Sequence, residues 1–162
     1  MITANIVACT TSNATCLPFT IYQISNCAGS NVYEYFSCCW TPTAANSTIR
    51  FVFQHDTDEW CLDDVSVFNG TTDMLINGGF EMGSSAPGWV ISAPPITVVN
   101  GASQAHSGNW YLDDWSTSTT DKITQTFTVV PGQNYNVSFY LYNGGTYNAL
   151  GATCSIRVIL ST

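Results

Sequence analysis

Positive charge is nearly absent from this chain. Its 162 residues include three basic side chains, Arg50, Lys122 and Arg157, against eleven acidic ones, and charged residues make up only 9% of the sequence. So few cations cannot form the counterion-releasing patch that nucleic acid binding requires, nor a basic surface for anionic membranes. Long apolar runs are missing too. No window approaches a membrane span, and no cationic start followed by an apolar stretch marks a signal peptide. Membrane insertion is therefore not expected, and if the protein is secreted, this chain is expected to be a piece of something larger. CxxC spacing is absent, the only histidines are His55 and His106, and helical periodicity is nowhere sustained. These absences disfavour a zinc module and a helical fold.

What is present has an extracellular character. Ser, Thr, Asn and Gly are abundant, so solubility rests on uncharged polar groups or on attached glycans. A hydrophobic content of 45% over this length suits one well-packed domain. Seven cysteines, Cys9, Cys16, Cys27, Cys38, Cys39, Cys61 and Cys154, are scattered in a manner that favours disulfides, with burial as small hydrophobes the alternative. Because seven is odd, at least one thiol is free or bonds another chain, and three bridges plus one spare allow about 105 arrangements. Asn13, Asn46, Asn69 and Asn136 each begin a glycosylation sequon. They fit a secreted glycoprotein, although a chain so rich in Asn, Ser and Thr yields some by chance.

Period-two alternation recurs in short segments bounded by Gly, Asn, Pro and Ser, the pattern of an antiparallel sandwich. It predicts strands at 17–24, 32–37, 49–54, 65–68, 74–77, 123–129, 135–141 and 154–160. Tyr135, Val137, Phe139 and Leu141 share one face of their strand and belong in the core, while Asn136, Ser138, Tyr140 and Tyr142 share the other. Ile49, Phe51 and Phe53 make a second core stripe, and Ile123, Gln125, Phe127 and Val129 a third. Asn69-Gly70 reads as the turn of a hairpin joining the strands at 65–68 and 74–77.

Four segments then resemble pieces of one known module: INGGFEMGSSAPGW at 76–89, HSGNWYLDD at 106–114, ITQTFTVVPGQNYNVSFYLYNGG at 123–145 and STIRFVFQHDTDEWCLDDVSV at 47–67. Together they are similar to the jelly-roll carbohydrate-binding modules of families four and nine, in the broader galactose-binding-like fold, including forms found as tandem repeats in large secreted proteins. The order departs from the family's. There NGGFE opens the module and LDDVSV closes it, whereas here LDDVSV comes first. Residues 1–68 resemble the second half of a module and residues 73–162 the first half, with 69–72 as the turn between them. The expected fold is thus an all-β antiparallel sandwich of jelly-roll type, either permuted within one chain or completed by strands from a neighbouring subunit. Open halves would leave unpaired edges, and head-to-tail exchange between copies would build a fibre or filament.

The WxLDD core occurs twice, at 60–64 and 110–114. A glycosidase would use Asp63, Asp64, Asp113 and Asp114 with Glu59 or Glu81 as acid and base. Adjacent side chains on a strand point to opposite faces, however, and no Ser, His or Cys constellation accompanies them, so no catalytic residue is expected. The resemblance instead implies a structural calcium where the module's first and last strands meet. It would be held by Glu81, by Asp63 or Asp64, and by carbonyls near Gly79 and Ser107; the alternative is that these acids only turn to solvent or accept hydrogen bonds. Tyr33, Tyr35, Tyr140, Tyr142 and Trp40 are candidate platforms for a polysaccharide, weighed against ordinary sheet packing. A glycan on Asn136, which shares a face with Tyr140 and Tyr142, would obstruct that surface. The functional expectation is a non-catalytic, extracellular structural repeat that assembles with copies of itself, with carbohydrate binding as the alternative.

Overall fold

The computed structural model describes residues 15–16, 20–25, 28–92, 95–115, 119–145 and 152–162. Eleven strands account for the regular structure: β1 (Thr20–Ile24), β2 (Tyr33–Trp40), β3 (Asn46–His55), β4 (Trp60–Asn69), β5 (Thr72–Asp73), β6 (Val90–Ile91), β7 (Thr97–Asn100), β8 (Trp110–Asp114), β9 (Asp121–Thr128), β10 (Tyr135–Asn143) and β11 (Cys154–Ser161). They form two antiparallel sheets packed face to face. Sheet A runs β2-β10-β4-β8-β7, with β5 added to β4, and sheet B runs β1-β11-β3-β9-β6. The chain is an all-β sandwich.

The alternating stripes build the core between the sheets. Val137, Phe139 and Leu141 from sheet A meet Ile49, Phe51 and Phe53 from sheet B, with the rings of Phe51 and Phe139 edge to face at 5.3 Å. Burial of such side chains stabilises the fold by about 2 kcal/mol each. Gln125 occupies a core position of β9, and its amide is fully used. Oε1 accepts from the Ile76 N–H at 2.7 Å and Nε2 donates to the Ile76 carbonyl at 3.0 Å. That pair clamps the 74–80 segment onto sheet B, as a buried amide requires.

Strands from the two halves interleave, except that β6 pairs with β9 and β7 with β8 within the second half. β1 pairs with β11, β2 with β10, β3 with β9 and β11, and β4 with β5, β8 and β10. Among the described residues no two of the strands β1 to β4 pair with each other; the one β-bridge inside the first half is the isolated Thr15–Cys39 bridge. Each half thus supplies the other's edges within one chain.

Two sequence expectations change here. The hairpin across Asn69-Gly70 forms, but its second arm is only β5, pairing Phe68 with Asp73 and Asn69 with Thr72. The strand expected at 74–77 is replaced by a turn, because Asp73 Oδ1 draws in the Val67 and Leu75 N–H groups and Asn77 adopts a positive φ of 57°. The repeated WxLDD segments are neighbours. β8 lies antiparallel to β4 with Leu62 opposite Leu112, Cys61 opposite Asp113 and Trp60 opposite Asp114. The repeat is thereby arranged with local two-fold character about the leucine pair.

Among the cysteines, Cys16 and Cys38 are bonded to each other, tying residue 16 to β2, and Cys39 and Cys154 each also belong to a disulfide. Cys61, expected among the bridge candidates, is a free buried thiol. Oxidised cysteines fit an oxidising compartment. Among the described residues no helix is long and apolar enough to cross a membrane. Cys9, Cys27, Asn13 and the first part of the strand expected at 17–24 lie outside the described residues.

Candidate functional site

A β-bulge organises the site. Along β4 and β10, Ser66 pairs with Ser138 and Asp63 with Tyr140, so Asp64 and Val65 together face the single residue Phe139. Asp64 takes a positive φ of 49°, a conformation that Asp tolerates better than most side chains. The bulge overturns the expectation that Asp63 and Asp64 point to opposite faces. Both carboxylates reach the same loop, residues 105–109.

Asp63 Oδ1 accepts from the Asp64 N–H at 2.7 Å, and Oδ2 accepts from the His106 and Ser107 N–H groups at 2.9 and 3.2 Å. Asp64 Oδ1 accepts from the Ser107 hydroxyl at 2.8 Å, and Oδ2 meets His106 Nδ1 at 2.7 Å. Glu81 Oε1 accepts from the Asn109 and Trp110 N–H groups, both at 2.9 Å. Three carboxylates thus strap one loop, and Gly108 suits its place, since its φ is 62° and a methyl group there would push the Glu81 carboxylate off the loop. Asp63 is fully buried, and burial, reinforced by Asp64, pushes its carboxyl up to about 7, although its N–H partners pull the other way.

The INGGFE segment aims Glu81. Phe80 is fully buried beside Trp89 at 5.8 Å, and Trp89 Nε1 donates to the Asn77 carbonyl at 3.0 Å. Val65 N–H donates to the Gly78 carbonyl at 3.0 Å, joining the turn to the bulge. Gly79 packs against Asp64 Oδ1, with Asp63 and Glu81 near. All five residues expected around a calcium, Glu81, Asp63, Asp64, Gly79 and Ser107, therefore converge, with Ser107 contributing its N–H and hydroxyl. The carboxylate oxygens of Asp63, Asp64 and Glu81 accept from N–H and O–H donors of this loop, and among the described residues these three acids are not a group whose ligand atoms all lie within 4.8 Å of one another.

Beside this cluster lies an aromatic face on the outside of sheet A. Tyr33 and Tyr35 of β2 sit in register with Tyr142 and Tyr140 of β10. Ring centroids are 5.7 Å apart for Tyr33–Tyr142 and 4.9 Å for Tyr35–Tyr140, and Tyr35 is 47% exposed. His106 stacks on Tyr140 at 3.4 Å and meets Tyr33 edge-on at 5.4 Å. His106 was not expected here; its place in HSGNWYLDD, the segment that brings Ser107, was the available signal. Trp40, expected with the tyrosines, is not among them. It is out of phase with Tyr33 and Tyr35 on β2 and packs inward against Tyr135 and Phe127 at 5.9 and 6.2 Å.

The sequons separate by exposure. Asn46 is exposed, and Asn69 is half-buried with Nδ2 donating to Gln133 Oε1 at 2.8 Å. Asn136 is only 5% exposed, in register between Cys39 and Phe68, which leaves no room for a glycan. The second acid pair divides as strand geometry requires: Asp114 is fully buried opposite Trp60, and Asp113 lies opposite Cys61 on the outer face.

Comparison with protein-family models, curated proteins and solved structures finds no match for this chain. Fold and site define a class, a two-sheet antiparallel β-sandwich with a tyrosine face beside a carboxylate-strapped loop.

Proposed function

We propose that this protein is a non-catalytic, secreted binding module that holds a saccharide on the outer face of sheet A. The observation that carries the reading is the platform of Tyr33, Tyr35, Tyr140 and Tyr142 with His106 stacked on one end. Sugar rings present C–H faces that stack on such platforms, and neighbouring carboxylates accept hydrogen bonds from their hydroxyls. Affinity electrophoresis through gels containing different neutral polysaccharides tests it. At least one polysaccharide retards the protein saturably; equal mobility in all of them would overturn the proposal.

Calcium, implied by the resemblance, would be held by Glu81, Asp63 and Asp64, and it would neutralise a cluster that has no lysine or arginine on the strands of its sheet. Such an ion binds the folded state alone, so added calcium raises the melting temperature by several degrees and chelator reverses the rise. Unchanged melting would assign these carboxylates to hydrogen bonding only.

A second reading, a repeat that assembles head to tail into an extracellular filament, is favoured by one observation. The strands β1 to β4 find all their strand partners in the other half, across a tight turn at Asn69–Thr72. Either half of one copy is therefore complementary to the opposite half of another. A single monomeric species in sizing experiments well above micromolar concentration would sink this reading.

A further inference from the structure

A second cluster on sheet A adjoins the tyrosine platform, at the end where Tyr33 and Tyr142 lie. Tyr33, Tyr142, Cys61, Asp113 and Thr97 run in register across the outer face of its five main strands. At the centre of this row the Cys61 thiol, a carboxylate oxygen of Asp113 and one of Glu59 all lie within 4.8 Å of one another. Cys61 Sγ is 3.7 Å from Glu59 Oε1, and Gln104 Nε2 approaches the sulfur at 3.8 Å. Both are long contacts that leave the sulfur weakly engaged.

Two features show that this cluster lacks a positive partner. Asp113 Oδ1 and Tyr33 Oη are each fully buried atoms with no hydrogen-bond partner, an arrangement that folding disfavours. All three basic residues of the chain, Arg50, Lys122 and Arg157, belong to strands of sheet B. No cationic side chain on the strands of sheet A is available to neutralise Glu59 and Asp113. Consistent with this crowding, burial and then Glu59 push Asp113 up to about 6, and burial, Glu59 and Asp113 push the Cys61 thiol up.

We propose that Glu59, Cys61 and Asp113 form a site for a borderline-soft divalent cation of the zinc class. One thiolate with two carboxylates makes a three-ligand set, and a half-turn of the Gln104 amide brings its oxygen toward the same point as a fourth. The bound cation supplies the positive charge that the sheet lacks, and it explains a thiol kept free in a chain whose other described cysteines are oxidised. Calcium does not compete, because a hard cation gains little from sulfur.

Cadmium is the probe for this site, since a thiolate bound to it gives an ultraviolet charge-transfer band. Titrating cadmium into the oxidised protein in calcium-containing buffer gives a band that saturates near about one equivalent, and zinc displaces it. Cys61→Ser abolishes the band, and Asp113→Asn raises the cadmium concentration needed by about tenfold or more. Absence of a band from the wild-type protein at micromolar cadmium, or its persistence in Cys61→Ser, would overturn the proposal. If Cys61→Ser fails to fold, the Asp113→Asn titration decides: an unchanged midpoint contradicts the site and a tenfold weakening supports it.

Discussion

Gly78→Ala is expected to lower the stability of the protein by about 3 kcal/mol, read as a shift in the urea midpoint. A methyl group on residue 78 falls on the Val65 carbonyl oxygen, and that oxygen belongs to the backbone, not to a side chain that can swing away. Relief requires the turn to move off β4, which breaks the bond from Val65 N–H to the Gly78 carbonyl. The same movement carries Gly79, Phe80 and Glu81 with it, so the loop strapped by Glu81 loosens as well. Gly70→Ala makes the control: its φ is 58° but nothing lies near its added methyl, so it costs about 1 kcal/mol. Equal losses for the two variants would contradict the proposed docking of the INGGFE turn against the bulge.

Removing the Cys16–Cys38 disulfide is the other large effect. Its partners are separated by 22 residues in sequence, and a loop of that length corresponds to about 3 kcal/mol in the chain-entropy account. Cys38 is also a core side chain, 2% exposed, so Cys16→Ser is the better variant, leaving the buried position occupied by its own thiol. Thermal melting under oxidising conditions should show the loss, and adding a reductant should lower the melting temperature of the wild-type protein while changing the variant less. A wild type indifferent to reductant would contradict the assignment of stability to this bridge.

The sheets were legible in the sequence because their signal is local. Val137, Phe139 and Leu141, and likewise Ile49, Phe51 and Phe53, alternate at the period of a strand with one buried face, and both stripes lie in the core. Even Gln125 sat at a position marked as interior. The same periodicity excludes Trp40 from the tyrosine face, since it is five residues from Tyr35 and an odd offset reverses the side. The bulge at Asp64 was not legible. One extra residue in a strand leaves no compositional mark in WCLDDVSV, and it is the bulge that turns two adjacent acids toward one loop. Pairing between distant segments was equally hidden: the two WxLDD motifs lie about fifty residues apart, and only the sheet order makes them neighbours. The burial of Asn136 has the same origin, because it depends on Cys39 and Phe68 arriving from other strands.

Comparing Tyr140→Ala with Trp40→Ala tests whether the outer face of sheet A is the binding surface. Tyr140 stacks under His106 at the rim of the platform, whereas Trp40 packs inward. In affinity electrophoresis with the polysaccharide that retards the wild type, Tyr140→Ala is predicted to lose retardation while melting near the wild-type temperature. Trp40→Ala is predicted to melt lower and yet to retain retardation. Retardation that survives Tyr140→Ala and disappears in a folded Trp40→Ala would contradict the account.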